Sequence, residues 1–134
     1  MALRYHIVIT IVGAVVDILA AVLFPIYLGA WNVVFCVVAG AVVVGILARS
    51  KQWLCGMAAA GVFNVTFLLL LWRVCAPFTD KAEMMLAWKS CVRDLFVPAM
   101  LSIIVSGLIA EIIGRAVVIR RQHARSSGNN IEGI

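Results

Sequence analysis

Residues 53–72 read WLCGMAAAGVFNVTFLLLLW, and this stretch decides the fold. It carries no charge between Trp53 and Trp72, and its length suits a helix crossing roughly 30 Å of hydrocarbon. Amphipathic indole rings favour membrane interfaces, where both tryptophans fall. Working outward, three similar apolar runs cover about 5–28, 31–47 and 95–119. Phe24-Pro25 and Gly29 supply a turn between the first two, with Trp31 at the next interface. The expected fold is all-α: a polytopic membrane protein with a bundle of four transmembrane helices over residues 1–121. Residues 122–134 contain Ser126-Ser127-Gly128-Asn129-Asn130, lack apolar periodicity and read as a flexible cytoplasmic tail.

Composition points the same way. The 134 residues are 65% hydrophobic and 13% charged, against roughly 45–50% and about 25% in soluble domains. A small domain buries only ~60–70% of the surface of its unfolded chain, so lipid must cover the remaining apolar surface. The net charge of +5 comes from 11 Lys and Arg against 6 Asp and Glu. These cations cluster at the ends of apolar runs, which marks topology and anionic headgroups rather than nucleic acid. Arg4 before an apolar run resembles a secretory leader. However, Asp17 interrupts the run and no small-x-small cleavage site follows, so the segment reads as the first membrane helix.

Lys and Arg bias sets the orientation. Arg4, Arg49 with Lys51, and Arg115, Arg120, Arg121 and Arg125 fall on one side if both termini are cytoplasmic. The expected location is a bacterial or archaeal cytoplasmic membrane. The opposite loop, 73–94, carries Arg73, Lys81, Lys89 and Arg93 beside Asp80, Glu83 and Asp94; acids count little in the rule, so these cations weigh against the orientation without reversing it. Asp80 and Glu83 have capping-box spacing, and Met85, Trp88, Val92, Leu95 and Phe96 share a helical face. A short amphipathic helix in this outer loop, lying on the bilayer surface, is expected.

Polar residues within the spans are the functional candidates. Asp17 lies near the middle of the first span, Asn64 in the middle of the third, and Glu111 in the inner half of the fourth with Arg115 one turn on. A charge at the membrane centre costs at least ~2.5–3.5 kcal/mol, so these groups must face other helices, water or a proton. Asp17 and Glu111 are candidate proton or cation sites, Asn64 a polar ligand, and Arg115 the i, i+4 charge partner of Glu111. Asp17 with Asn64 also fits a purely structural hydrogen bond between helices, and Glu111 with Arg115 a local ion pair at the inner headgroups. Small residues recur at helical spacing: Thr10, Gly13, Asp17 and Ala21 in the first span, Gly56 and Ala60 before Asn64, and Ser102, Ser106, Ala110 and Gly114 in the fourth. Such rows let helix backbones approach closely in lipid, and the fourth-span row is expected to contact another helix, in this chain or in a neighbouring copy.

Cys36 and Cys55 read as small apolar residues. Cys75 and Cys91 share the outer loop, where a disulfide would tie the surface helix to the third span. No zinc-ligand spacing, CxxC, GxSxG, HExxH or phosphate-binding loop occurs, so no metal, cofactor or reaction is indicated. Two families of short four-span chains bear comparison. Small multidrug carriers have a membrane carboxylate but low charge bias, whereas this chain's bias is clear. Flippases of lipid-linked sugars have polar positions vaguely similar to Asp17 and Asn64. Their Asn-Phe…Arg…Phe signature is missing where this chain reads Ile46-Leu47-Ala48-Arg49 and Glu111-Ile112-Ile113-Gly114-Arg115. Neither comparison assigns a family.

Three functions remain. The leading one is a small transport protein or transporter subunit using the intramembrane carboxylates. It would be a homo-oligomer or have a membrane partner subunit, packed at the Ser102–Gly114 face. The second is a non-catalytic accessory subunit of a larger membrane complex. The third is a lipid-handling protein, either a flippase or a lipid-modifying enzyme. The bilayer itself is the expected partner in each, and the substrate is not legible.

Overall fold

The computed structural model describes residues 2–23, 31–75 and 80–129, and those residues form a bundle of four helices: α1 (Ala2–Leu23), α2 (Asn32–Leu47), α3 (Gln52–Cys75) and α4 (Lys81–Asn129). Three of them, α1, α3 and α4, are long and apolar enough to cross a membrane. The fourth, α2, has 16 residues, a length of about 24 Å at 1.5 Å per residue. It carries no charge and buries Val33, Cys36, Val37, Gly40, Ala41, Val44 and Gly45 along one broad face.

The packing order explains this burial. Helix α1 touches α2 and α3, and α4 touches α2 and α3, but among the described residues α1 and α4 do not meet. Helices α2 and α3 therefore form the middle of the bundle. Many core residues are small: Ala14, Ala41, Ala48, Cys55, Ala59, Ala60 and Ala110. Such residues let backbones approach, as van der Waals association in lipid requires. The surface is apolar instead. On α4, Phe96, Met100, Ile104, Leu108 and Ile112 form an exposed i, i+4 row, and Val8, Ile11, Val15, Leu19 and Val22 do the same service on α1. In water these side chains would form a large exposed patch; in a bilayer they face acyl chains. The chain is a small polytopic helical membrane protein.

A tight turn joins α2 to α3. The Ala48 amide donates to Val44 O (2.8 Å), and the Leu54 and Cys55 amides donate to Lys51 O (both 3.1 Å). Gln52 Nε2 donates to Ala48 O at 3.2 Å. Lys51 takes φ 53°, the left-handed region that normally favours glycine. At the same end, Tyr5 Oη donates to Leu47 O (2.6 Å), tying the start of α1 to the last turn of α2.

Two boundaries differ from the sequence expectation. The stretch expected as a surface helix is helical, but it runs without a break into the fourth span, so α4 contains 49 residues and is about 73 Å long. Asp80 caps it: Oδ1 accepts from the Ala82 amide (2.9 Å), and its carbonyl accepts from the Met84 amide. Only Pro98 interrupts its hydrogen-bond ladder. Part of the expected lipid-facing stripe packs inward instead. Trp88 meets Trp72 of α3 edge-on at 5.1 Å between ring centroids, and Leu95 is buried. The helix also continues through 122–129, where a flexible tail was expected; residues 130–134 and the Phe24–Gly29 turn lie outside the described residues.

Candidate functional site

Helix α1 approaches α2 where Gly13 meets Gly40. A Cβ at Gly13 would lie 2.5 Å from Val44 Cγ2 and 3.0 Å from Ala59 Cβ, and one at Gly40 would collide with Asp17 and with Gly13 O. This contact seats Asp17. Its side chain is fully buried, and Oδ1 accepts a hydrogen bond from the Gly40 amide at 2.8 Å. Its other oxygen, Oδ2, is buried without a hydrogen-bond partner. A buried polar atom left unpaired costs roughly 1–3 kcal/mol, so this arrangement is expensive for packing alone.

Asn64 lies on another interface, between α3 and α4. Its Nδ2 donates to Ser102 Oγ at 2.8 Å and approaches Ala99 O at 3.4 Å; Ser102 Oγ in turn donates to Ala99 O at 2.7 Å. One turn farther along α4, Ser106 Oγ donates to Gly56 O (2.8 Å). The row Ser102, Ser106, Ala110 and Gly114 is buried within this chain. A Cβ on Gly56 would come within 2.8 Å of Ala110 Cβ and Ser106 O, and one on Gly114 within 2.6 Å of Gln52 Cγ. Gly45 of α2 closes the other flank against Ala110 O. Of the two contacts expected for this row, a helix of the same chain or one of a neighbouring copy, the structure has the first: α3 and α2 occupy it. Ala60 belongs to a separate buried cluster, with Val37, Phe63 and Leu95, whereas Ala110 packs with Val44, Cys55 and Ala59.

Glu111 and Arg115 form a local pair, with Nε donating to Oε1 at 2.8 Å and the side chains 27% and 76% exposed. They line an open groove of about 440 Å³ between α3 and α4, with Trp53, Met57, Ile104, Gly107 and Leu108. The three polar positions are thus not brought together. Asp17 is sealed between α1 and α2, Asn64 joins α3 to α4, and Glu111 faces outward.

What sequence reasoning missed is a cavity beside Asn64. It measures about 90 Å³ and is lined by Val33, Phe67, Leu68, Val92, Leu95, Phe96 and Ala99, with Asn64 as the polar residue. Its signal in the sequence is slight: an asparagine opposite Ala99, one helix turn from two phenylalanines. Gly40 was equally hidden, although Ala39-Gly40-Ala41 is the smallest stretch of α2. His6 and Cys55 also meet across α1 and α3, with Nδ1 and Sγ 3.5 Å apart.

Among the described residues no cluster of His, Cys, Asp and Glu is assembled to hold a metal. Cys91 is a half-buried free thiol; the side chain of Cys75 lies outside the described residues, so the pairing expected of these two has no described geometry. Comparison with protein-family models, curated proteins and solved structures gives no match to this chain.

Proposed function

We propose that this protein handles lipids, and that the seam between α3 and α4 is where it holds them. The observation that carries this reading is the cavity at Asn64. A pocket of about 90 Å³ with one amide and otherwise apolar walls, set within membrane-spanning helices, suits the last few carbons of a hydrocarbon chain better than an ion or a water file. The groove at Glu111 and Arg115 extends the seam toward the other end of the bundle, with a charged pair at its rim. Both termini are assigned to the cytoplasmic side of a bacterial or archaeal membrane. The bond from Tyr5 to Leu47 supports this by placing Arg4 at the same end as Arg49 and Lys51.

Ala99→Leu tests the reading. Leucine fills the cavity while leaving the Ala99 carbonyl available to Ser102 and Asn64. Photoactivatable phospholipids are expected to label residues 64–68 and 92–99 of the wild-type protein in bilayers, and the variant is expected to lose that labelling while keeping its thermal stability. Labelling spread evenly over Leu69, Ile104 and Ile112, and unchanged by the variant, would show ordinary solvation by lipid and end the proposal.

A second reading is supported by the unpaired oxygen of Asp17, which suits a proton-binding group of a proton-coupled transporter. It predicts a carboxyl band in infrared difference spectra that titrates with pH and disappears in Asp17→Asn. A carboxyl spectrum that stays constant across the pH range would rule it out.

A further inference from the structure

The stretch of α4 before Pro98 is sorted by charge. Successive residues of a helix step by about 100°, so Lys81, Lys89 and Arg93 fall within an arc of about 120° that also holds Val92 and Phe96, with Trp88 at its edge. Glu83 and Asp94 lie close together on the opposite flank. Cations and acids are nearly equal in number over 73–94, yet the helix presents a cationic face and an acidic face. Arg93 approaches its neighbour Asp94 at 3.6 Å, but both are largely exposed and water screens the pair.

The cationic face is also the apolar one. Trp88, Lys89, Val92, Arg93, Phe96 and Val97 line a groove, and Val92 and Phe96 line the Asn64 cavity as well. The groove and the cavity are therefore adjoining surfaces. Along α4, Arg93 stands about 9 Å and Lys89 about 15 Å from the level of Ala99 at the floor of the cavity, at 1.5 Å per residue. Cations at the membrane edge, apolar walls below them and a single amide at the bottom match an amphiphile with an anionic head.

We propose that this face is a binding site for an anionic phospholipid of the surrounding bilayer. Lys89 and Arg93 hold the headgroup phosphate, and an acyl chain passes over Val92 and Phe96 into the Asn64 cavity. The inference deepens the lipid-handling reading and rests on it. Charge complementarity favours this occupant over a second copy of the chain: about a two-fold axis a copy would present Lys89 and Arg93 with its own equally cationic face, and its Glu83 and Asp94 flank could meet them only in a head-to-tail contact that must close into a ring or run on as a filament.

The test uses the full chain in lipid nanodiscs with two photoactivatable probes of identical chains, phosphatidylglycerol and phosphatidylcholine. The anionic probe is expected to label residues 64–68 and 92–99 roughly tenfold more than the neutral one, since each cation near the surface contributes about a factor of several to binding an anionic lipid. The Lys89→Gln/Arg93→Gln variant should reduce the anionic probe to the level of the neutral one and leave the neutral one unchanged. Glu83→Gln/Asp94→Asn, on the opposite flank, should alter neither. Equal labelling of the cavity by both probes, insensitive to the Lys89 and Arg93 changes, overturns the headgroup assignment and leaves the lipid-handling reading standing. Absence of cavity labelling by either probe, or a cross-link from this face to a second copy, overturns both.

Discussion

Gly40→Ala is expected to unfold the α1–α2 interface, with a loss of roughly 3 kcal/mol or more. The added methyl would fall on Asp17 Oδ1 and Cγ and on Gly13 O at once. A flexible side chain could turn aside, but the Gly13 carbonyl belongs to the backbone of a packed helix. The Gly40 amide would also lose its contact with Asp17, leaving both carboxyl oxygens unpaired in the core. Thermal unfolding in mild detergent, followed by tryptophan fluorescence, should show the loss as a lowered midpoint and aggregated protein on size exclusion. The combination with Asp17→Ala gives a sharper result. It removes the side-chain collision and keeps the backbone one, so recovery should be partial. Full recovery, or a single Gly40→Ala variant as stable as wild type, would mean that the two helices do not cross at this point.

Gly56→Val is the second large effect, at the opposite interface. Gly56 meets Ser106 O and Ala110 Cβ, both at 2.8 Å from the added carbon, and its own carbonyl accepts the Ser106 hydroxyl. Valine would push α3 from α4 along the small-residue row and break that bond; the expected cost is again roughly 3 kcal/mol. Because the Asn64–Ser102 bond lies along the same seam, labelling of the cavity by lipid probes should fall in step. Gly61 serves as the control, since a Cβ there meets nothing within 4 Å. Gly61→Ala should leave the unfolding midpoint unchanged or slightly raised, as alanine is the better helix former by about 1 kcal/mol. Equal destabilisation by both substitutions would argue for a general glycine requirement in α3 rather than a specific contact.

The membrane-helical architecture was legible because lipid imposes a length and an apolar composition, and residues 53–72 carry both. The Asp80 cap was legible for the same kind of reason: a side chain two residues before a helix amide is local chemistry. So was the pairing of Glu111 with Arg115, which needs only i, i+4 spacing. The partner of Asp17 was not legible. Helix α2 is apolar on every side, so its sequence does not say which face turns to α1, and the partner is a backbone amide that every residue carries. Nor could the cavity be read, because it is a void between three helices, set by residues as far apart as Val33 and Ala99. The division of α4 was misplaced for a plain reason: the charged residues between 81 and 94 mark where the membrane begins, and a helix does not have to stop there.

That continuity has a mechanical side. Hydrocarbon about 30 Å thick leaves more than half of α4 outside it, so one stiff shaft reaches from the aqueous face at Lys81 to the one at Arg121. Tilting or twisting it at one end must be felt at the other, except for what is absorbed at Pro98, where the Asp94 carbonyl lacks the amide that would hold it. The joint lies one residue from Ala99, at the cavity floor. An acyl chain held as proposed would lie beside the proline of α4, and a change in the angle between the two arms is its expected mechanical consequence.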